Sequence, residues 1–299
     1  MYVIIFEEDV RLMPWEHDEY FMSFLDMSKY DARQMLRKSR GILQIALTQE
    51  QAQQVKEYFD SKNISCIIED ENNLPVIPKA KKANFFEIEN TEISFYFARG
   101  YNKLSSLKFE EIGLFSLGFF PGPKFAASKI DTYINLIPDT TKIEDEQLRK
   151  ELKEKIGGLA IKGEKGLDTS LARKGYITKS DLSNLKKEDI KIYLDIFSCD
   201  LQVRMRCISS DFNYEILKEQ ATLNSITNFL NVVNLLIDTV GSVYLTPKSI
   251  EFLETNDYFK CMFESEEEFD VYNIWYIYNL TKTSPSQDEP QPPQAPKES

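Results

Sequence analysis

The chain has 299 residues, 42% hydrophobic and 28% charged, with a formal net charge of −12 and a pI near 4.8. This is an ordinary globular composition with room for two domains, and its acidic balance argues against nucleic acid or an anionic membrane as the main partner. No run approaches the ~20 apolar residues of a membrane span, and MYVIIFEEDV lacks a basic region or long apolar core, so a cytoplasmic chain without stable membrane insertion is expected. The charge is uneven: residues 250–299 hold 11 acids and 3 bases, leaving the rest close to neutral.

In chain order, residues 2–6 read as a first strand. The segment from Glu7 to Met27 mixes acids and aromatics without a clear period and is expected to be an irregular loop. It holds Trp15, expected to pack under the loop, and the single histidine, His17, beside Glu16, Asp18 and Glu19 with Glu7, Glu8 and Asp9 nearby. An oxygen-rich cation site is conceivable there. Successive side chains point apart, however, which favours a solvated acidic loop. Ser28 and Asp31 fit a capping box opening a helix over Lys29–Ser39, with Ala32, Met35 and Leu36 inward and Gly41 as its stop. Ile42–Leu47 reads as a strand. Thr48 and Gln51 form a second capping box for a helix to about Asp60, with Ala52, Val55, Tyr58 and Phe59 on its buried side, and Ile64, Cys66 and Ile68 alternate in the next strand. Strand, helix and strand in so short a span predict a parallel βαβ unit. The stretch GILQIALTQEQAQQVKEYFDSKNISCIIED resembles in layout the ribosomal-stalk C-terminal domain and related ferredoxin-like units. That resemblance implies a docking surface more than an active site.

Asn72–Lys82, with prolines and lysines, is expected to be a linker, placing a domain boundary near 80. Beyond it, 85–89 and 92–98 pair about Asn90-Thr91, and 109–120 is a strand bent or bulged at its glycines. Glu110 and Glu111 are expected at an edge or bulge. Thr132–Ile137 reads as a strand, and a charged helix starts at Thr141 and stops at Gly157-Gly158. A Gly- and Lys-rich insert over 157–188 is expected to be partly mobile. Ile190–Ile208 is a period-two hairpin with one buried face, which puts Arg204 and Arg206 on the other face with Asp195 and with Lys191 possible across the ladder. Such a pair of arginines could hold an anion; a solvated face paired with acids is the favoured reading. A long amphipathic helix starts at Asn224 or Ser225, burying Ile226, Phe229, Leu230, Val233, Leu236, Ile237 and Val240 before Gly241. Leu235 falls in its polar stripe and Val232 outside the main arc, marking either a covered spot or a docking site. Thr246-Pro247 opens a short helix to about Glu254. Ser265 and Glu268 cap the aromatic segment FDVYNIWYIYNL, read as a helix with two contact surfaces that include Trp275. From Thr281 the composition is that of a disordered tail.

Several antiparallel strands closed by one helix, together with LKFEEIGLFSLGFF, resemble pleckstrin-homology-like barrels over about 84–240. The likeness implies a binding module and not an enzyme. The expected fold class is therefore α+β: a small α/β (ferredoxin-like) unit over 1–80, then an antiparallel, barrel-like sheet closed by a long amphipathic helix over 81–245. Helices over 246–281 and a disordered tail over 282–299 complete it.

No G-x-S-x-G, Walker A or G-x-G-x-x-G motif occurs, and the glycines of Gly157–Gly163 follow a helix instead of a strand. A nucleophile–histidine arrangement would have to use His17. The four cysteines form no C-x-x-C pair and are expected as reduced thiols serving as small hydrophobes. The expected function is a non-enzymatic protein-interaction or regulatory protein without cofactor, binding a protein partner or itself. Its candidate contacts are Trp15, His17, Arg204, Arg206, Leu235 and Trp275. The alternatives are an acidic-residue hydrolase, with or without metal assistance, using His17 and Glu7 or Asp9, and an anionic-lipid or phospho-ligand binding module.

Overall fold

The structure, a computed structural model, describes residues 1–98, 100, 102–121, 190–255, 257–258 and 261–283. The strand at 132–137, the helix from Thr141, the insert over 157–188 and the tail beyond 283 lie outside the described residues. The fold is α+β. The chain divides into two compact units: Met1–Pro78 joined by the C-terminal segment from Ser265, and Lys79–Glu264 between them. The C-terminal helices are thus not one shared extension, because the first belongs to the second unit and the aromatic one to the first unit.

In the first unit, strand β1 (Tyr2–Phe6) pairs antiparallel with β2 (Cys66–Asp70), in register Phe6 to Cys66 and Tyr2 to Asp70. Along its other side runs 41–47, also antiparallel, through bonds from Tyr2 N to Leu47 O and from Leu43 N to Ile4 O, both within 2.9 Å. The expected βαβ unit is therefore split. Its two outer segments run parallel to each other, and β1 lies between them instead of their being neighbours. Helix α2 (Lys29–Lys38) starts where Ser28 Oγ accepts from Asp31 N and donates to its carboxylate. Helix α3 (Gln49–Ser61) starts at a complete Thr48–Gln51 capping box. Ala32, Leu36, Ala52, Val55 and Phe59 are fully buried.

Glu7–Met27 is no irregular loop: it contains helix α1 (Pro14–Leu25), opened by proline at its first position and ended by Asp26 in the left-handed region. Its buried stripe is Pro14, His17, Asp18 and Phe21. Two of these four are polar, so no hydrophobic period reveals the helix. The aromatic segment is also helical, α6 (Glu266–Thr283), with Ser265 Oγ accepting from Glu268 N.

Gly41 explains how closely α6 approaches. It sits at φ +70, and a Cβ there would fall within 2.6 Å of the Trp275 ring atoms Cδ1 and Cδ2. Trp275 Nε1 donates to Phe6 O at 2.8 Å beside it. At the other end of β2, Asn73 and Tyr278 donate to the Glu69 carboxylate, Lys282 pairs with it, and together they hold it down at about 2.

The second unit contains two sheets. The larger has the order β10-β7-β8-β9-β3, where β7 (Ile112–Pro121), β8 (Ile190–Ser198) and β9 (Arg204–Ile208) form an antiparallel meander. Two-residue strands, β3 (Lys81–Lys82) and β10 (Tyr244–Leu245), flank it in parallel. The lysines of β3 suit an exposed sheet edge. The smaller sheet is the antiparallel run β4 (Phe85–Glu89), β5 (Glu92–Tyr96) and β6 (Lys103–Lys108). Among the described residues the strands do not close into a barrel, and the larger sheet is antiparallel only at its centre. The pairing of β7 with β8 shifts between Ile112 and Leu114, so Gly113 occupies a bulge, and a Cβ there would lie 3.0 Å from Cys199 Cα. Glu110 and Glu111 lie in the 3-10 turn before β7, where Glu111 accepts from Lys108 N.

Helix α4 (Ser225–Val240) is capped by Asn224, whose side chain accepts from Thr227 N. It buries Phe229, Val232, Val233 and Leu236 completely. Each such side chain contributes about 1.5–3 kcal/mol. Its buried face is wider than the apolar arc, since Asn228 is also buried. There Asn228 Oδ1 accepts from Thr222 N and Oγ1 while Nδ2 donates to Thr222 O. Helix α5 (Pro247–Thr255) is tied to the sheet through Ser249 Oγ, which accepts from Leu117 N at 2.8 Å.

Gly41→Ala combines left-handed strain with a collision against Trp275, so it should destabilise the protein by about 2–4 kcal/mol in urea unfolding. Gly100→Ala, at φ +82 with nothing within 4 Å, meets only the strain and should cost about 1–2 kcal/mol. Equal losses in the two variants would refute the close approach of Trp275.

Candidate functional site

The sequence-derived candidates do not converge on one site. Arg204 and Arg206 share a strand face with Asp195, as the alternation predicts, but that face is not solvated: Arg204 is 2%, Arg206 3% and Asp195 0% exposed. Asp195 is the ladder partner of Arg206 and lies diagonal to Arg204. Its Oδ2 accepts from Arg204 Nε at 2.9 Å and from Arg206 Nη2 at 2.8 Å, and Oδ1 accepts from Arg206 Nε at 2.7 Å. The guanidiniums also lie 5.1 Å from the Phe197 ring centre and 5.3 Å from that of Tyr193. Lys191 is in register with Phe120 and not with the arginines. One carboxylate bound by two guanidiniums is a structural knot, and losing it would strand buried positive charge at a cost of about 3–5 kcal/mol. The favoured pairing with acids such as Asp195 is present, and what the structure corrects is the solvation of that face.

His17 is 5% exposed, so the solvated acidic loop is also corrected. Its Nδ1 lies 3.0 Å from the Tyr58 hydroxyl, and its ring meets Tyr58 and Phe59 edge-on. Asp18 is bound by Arg33 at 2.5 Å. Asp9, the proposed partner of His17 in metal chemistry, has both oxygens on Arg40. Among the described residues no three of His, Cys, Asp and Glu form a group able to hold a metal ion. Burial pulls the His17 pKa down; Glu16 opposes and Lys62 reinforces this. Trp15 is 53% exposed instead of packing under a loop, Leu235 is half-buried on α4, and Trp275 is 7% exposed. Cys66, Cys207 and Cys261 are buried and Cys199 is exposed, all four as free thiols. Burial pushes the Cys66 thiol up to about 11.

The site that sequence reasoning missed lies along β4. Among the described residues this strand ends the smaller sheet, so alternate main-chain N–H and C=O groups on its outer side are not used by β5. The 3-10 segment Tyr214–Gln220 lies alongside it. Asn213 N donates to Asn84 O at 2.7 Å, which fixes one end of the segment to the start of β4. Leu217 is buried in the core, and Tyr214 donates to Ser209 O at 2.5 Å. Past Asn84 the two backbones separate, and no main-chain bond joins them among the described residues. Between them is an open groove of about 440 Å³, lined by the whole of β4 and by Glu215, Ile216 and Lys218. Lys218 stands at φ 49, ψ −122, a region that disfavours side chains and costs about 1–3 kcal/mol. Its sequence neighbourhood, Leu217-Lys218-Glu219, has no glycine to announce such a turn.

Glu87 and Glu89 lie two residues apart on one face of β4, and Phe86 and Ile88 on the other. Tyr96 lies diagonal to Glu87 across the ladder. Glu92, the ladder partner of Glu89, is paired with Lys103 at 3.2 Å. The arrangement offers main-chain donors and acceptors beside an acidic lip, with no nucleophile–base pair in it. No helix among the described residues is long and apolar enough to cross a membrane. Compared with protein-family models, curated proteins and solved structures, the chain matches none.

His17 favours its neutral form in the folded state, so it binds its proton less readily folded than unfolded. Its contribution is present above about pH 6.5, the unfolded value, and is lost as the pH falls toward the lower folded value. As the only histidine, it gives one imidazole signal by NMR, whose midpoint should lie below 6.5. His17→Gln should flatten the decline in unfolding free energy over that window. A midpoint at or above 6.5 would contradict the burial.

Proposed function

We propose that this chain is a non-enzymatic protein-interaction protein whose second unit receives an extended segment of a protein partner along β4. The open groove beside an edge strand carries this reading, because such an edge binds a peptide through main-chain hydrogen bonds, with side-chain pockets selecting the sequence. The strained Lys218 on the groove wall supports it, since strain of this kind concentrates where ligands are held. We place the contact on β4 and not on the terminal aromatic helix, whose Trp275 donates to Phe6 O and packs against Gly41 within its own unit.

A photo-crosslinking residue placed at Glu89 in cells, compared with one at the exposed Glu50 of α3, tests the reading. Position 89 should give a discrete protein adduct that position 50 does not. Identical adducts from both positions, or none from 89, would contradict a partner in the groove.

A further inference from the structure

The geometry points to a basic, extended segment as the occupant of the β4 groove: a strand with lysine or arginine at alternate positions and apolar residues between them. The inference rests on the groove being a peptide site and adds the chemistry of the partner. A strand added to β4 would repeat its side-chain direction every second residue, about 6.6 Å along the chain. Glu87 and Glu89 repeat at the same interval on one face of the receiving strand, so basic residues at alternate positions would meet both carboxylates. The intervening side chains would fall on the side of Phe86 and Ile88, with Ile216 on the opposite wall. Three acids and one base line the groove, Glu87, Glu89 and Glu215 against Lys218.

Neighbouring contacts leave the acidic face of β4, Glu87 and Glu89, in place. Tyr96, diagonal to Glu87 across the ladder, carries no charge to neutralise it. Lys103 is committed to Glu92, one position across the hairpin from Glu89. An acidic segment would bring like charges together along the whole strand, which costs affinity and slows encounter. Anionic lipid headgroups would meet the same repulsion.

The full chain should be titrated by fluorescence anisotropy with two labelled hexapeptides, one alternating valine with lysine and one alternating valine with glutamate. A third probe is the lysine peptide with alternate backbone amides methylated, which keeps the charge and blocks strand pairing. The lysine peptide should bind at least about tenfold more tightly than the glutamate peptide, and more weakly as salt is raised. Methylation should weaken it by about tenfold or more. The double variant Glu87→Lys, Glu89→Lys should reverse the preference; Glu89→Lys alone, at an exposed position, should reduce it without disturbing the fold. A glutamate peptide that binds as well as the lysine peptide, or a preference unchanged in both variants, would overturn the basic partner while leaving a peptide groove standing. Equal binding of methylated and unmethylated peptides would overturn the added strand. No binding of any probe at about 1 mM would overturn both the partner chemistry and the peptide site.

Discussion

The first unit depends on Arg40. It is buried just before Gly41, with its guanidinium bound to Asp9 at 2.5 and 3.0 Å and to Glu268 at 3.1 Å. Burial by itself would pull its pKa down, but the Asp9 and Glu268 carboxylates outweigh that and push it up, so the charge persists in the interior. Glu268 is fully buried and also lies 3.4 Å from Arg11. Removing one partner of such a cluster costs about 3–5 kcal/mol, a large share of the usual 5–15 kcal/mol of folding stability. One turn onward, Tyr272 stacks on Trp275, and Trp275 closes over Gly41. The two ends of the chain thus build one unit, with residues 79–264 carried between them. Loop-closure entropy grows only logarithmically, by about 0.6 kcal/mol per doubling of length, so so long an insertion is thermodynamically tolerable. Its consequence is kinetic: the first unit cannot complete until its last helix exists.

Legibility in the sequence followed the match between local pattern and burial. Helices α2 and α3 were readable because Ser28, Thr48 and Gln51 cap them and their inward faces are apolar. The β8–β9 hairpin was readable from its alternation, and α4 from its arc. Helix α1 was not, because His17 and Asp18 occupy its buried stripe and are satisfied by Tyr58 and Arg33, residues distant in sequence. The exposure of Arg204 and Arg206 was misjudged for a related reason. Alternation reports which residues share a face, and it does not report that the Asp195 carboxylate bridges both guanidiniums in a face that is buried too. The split of the first sheet was illegible, since nothing in YVIIF states that it lies between two later segments.

The groove was invisible for another reason. It is made by what two segments fail to do, diverging after a single main-chain bond at Asn84. Phe85–Glu89 looks like any short strand, and whether it lies at an edge depends on a pairing more than a hundred residues away. Its functional weight comes from combination: an edge unpaired among the described residues, an acidic face repeating at strand spacing, and a strained wall. Of the candidates drawn from single residues, His17, Arg204, Arg206 and Trp275 each have partners inside their own unit, whereas Trp15 stays 53% exposed and Leu235 half-buried.

Amide hydrogen exchange on a chain ending at Glu264, compared with the full chain, tests most directly whether the closing helix is integral to the first unit. Protection should be lost throughout β1, 41–47 and β2 and retained in the β7–β8–β9 meander. Equal protection of β1 and β2 in both chains would show that the first unit folds without its C-terminal helix and would contradict the account.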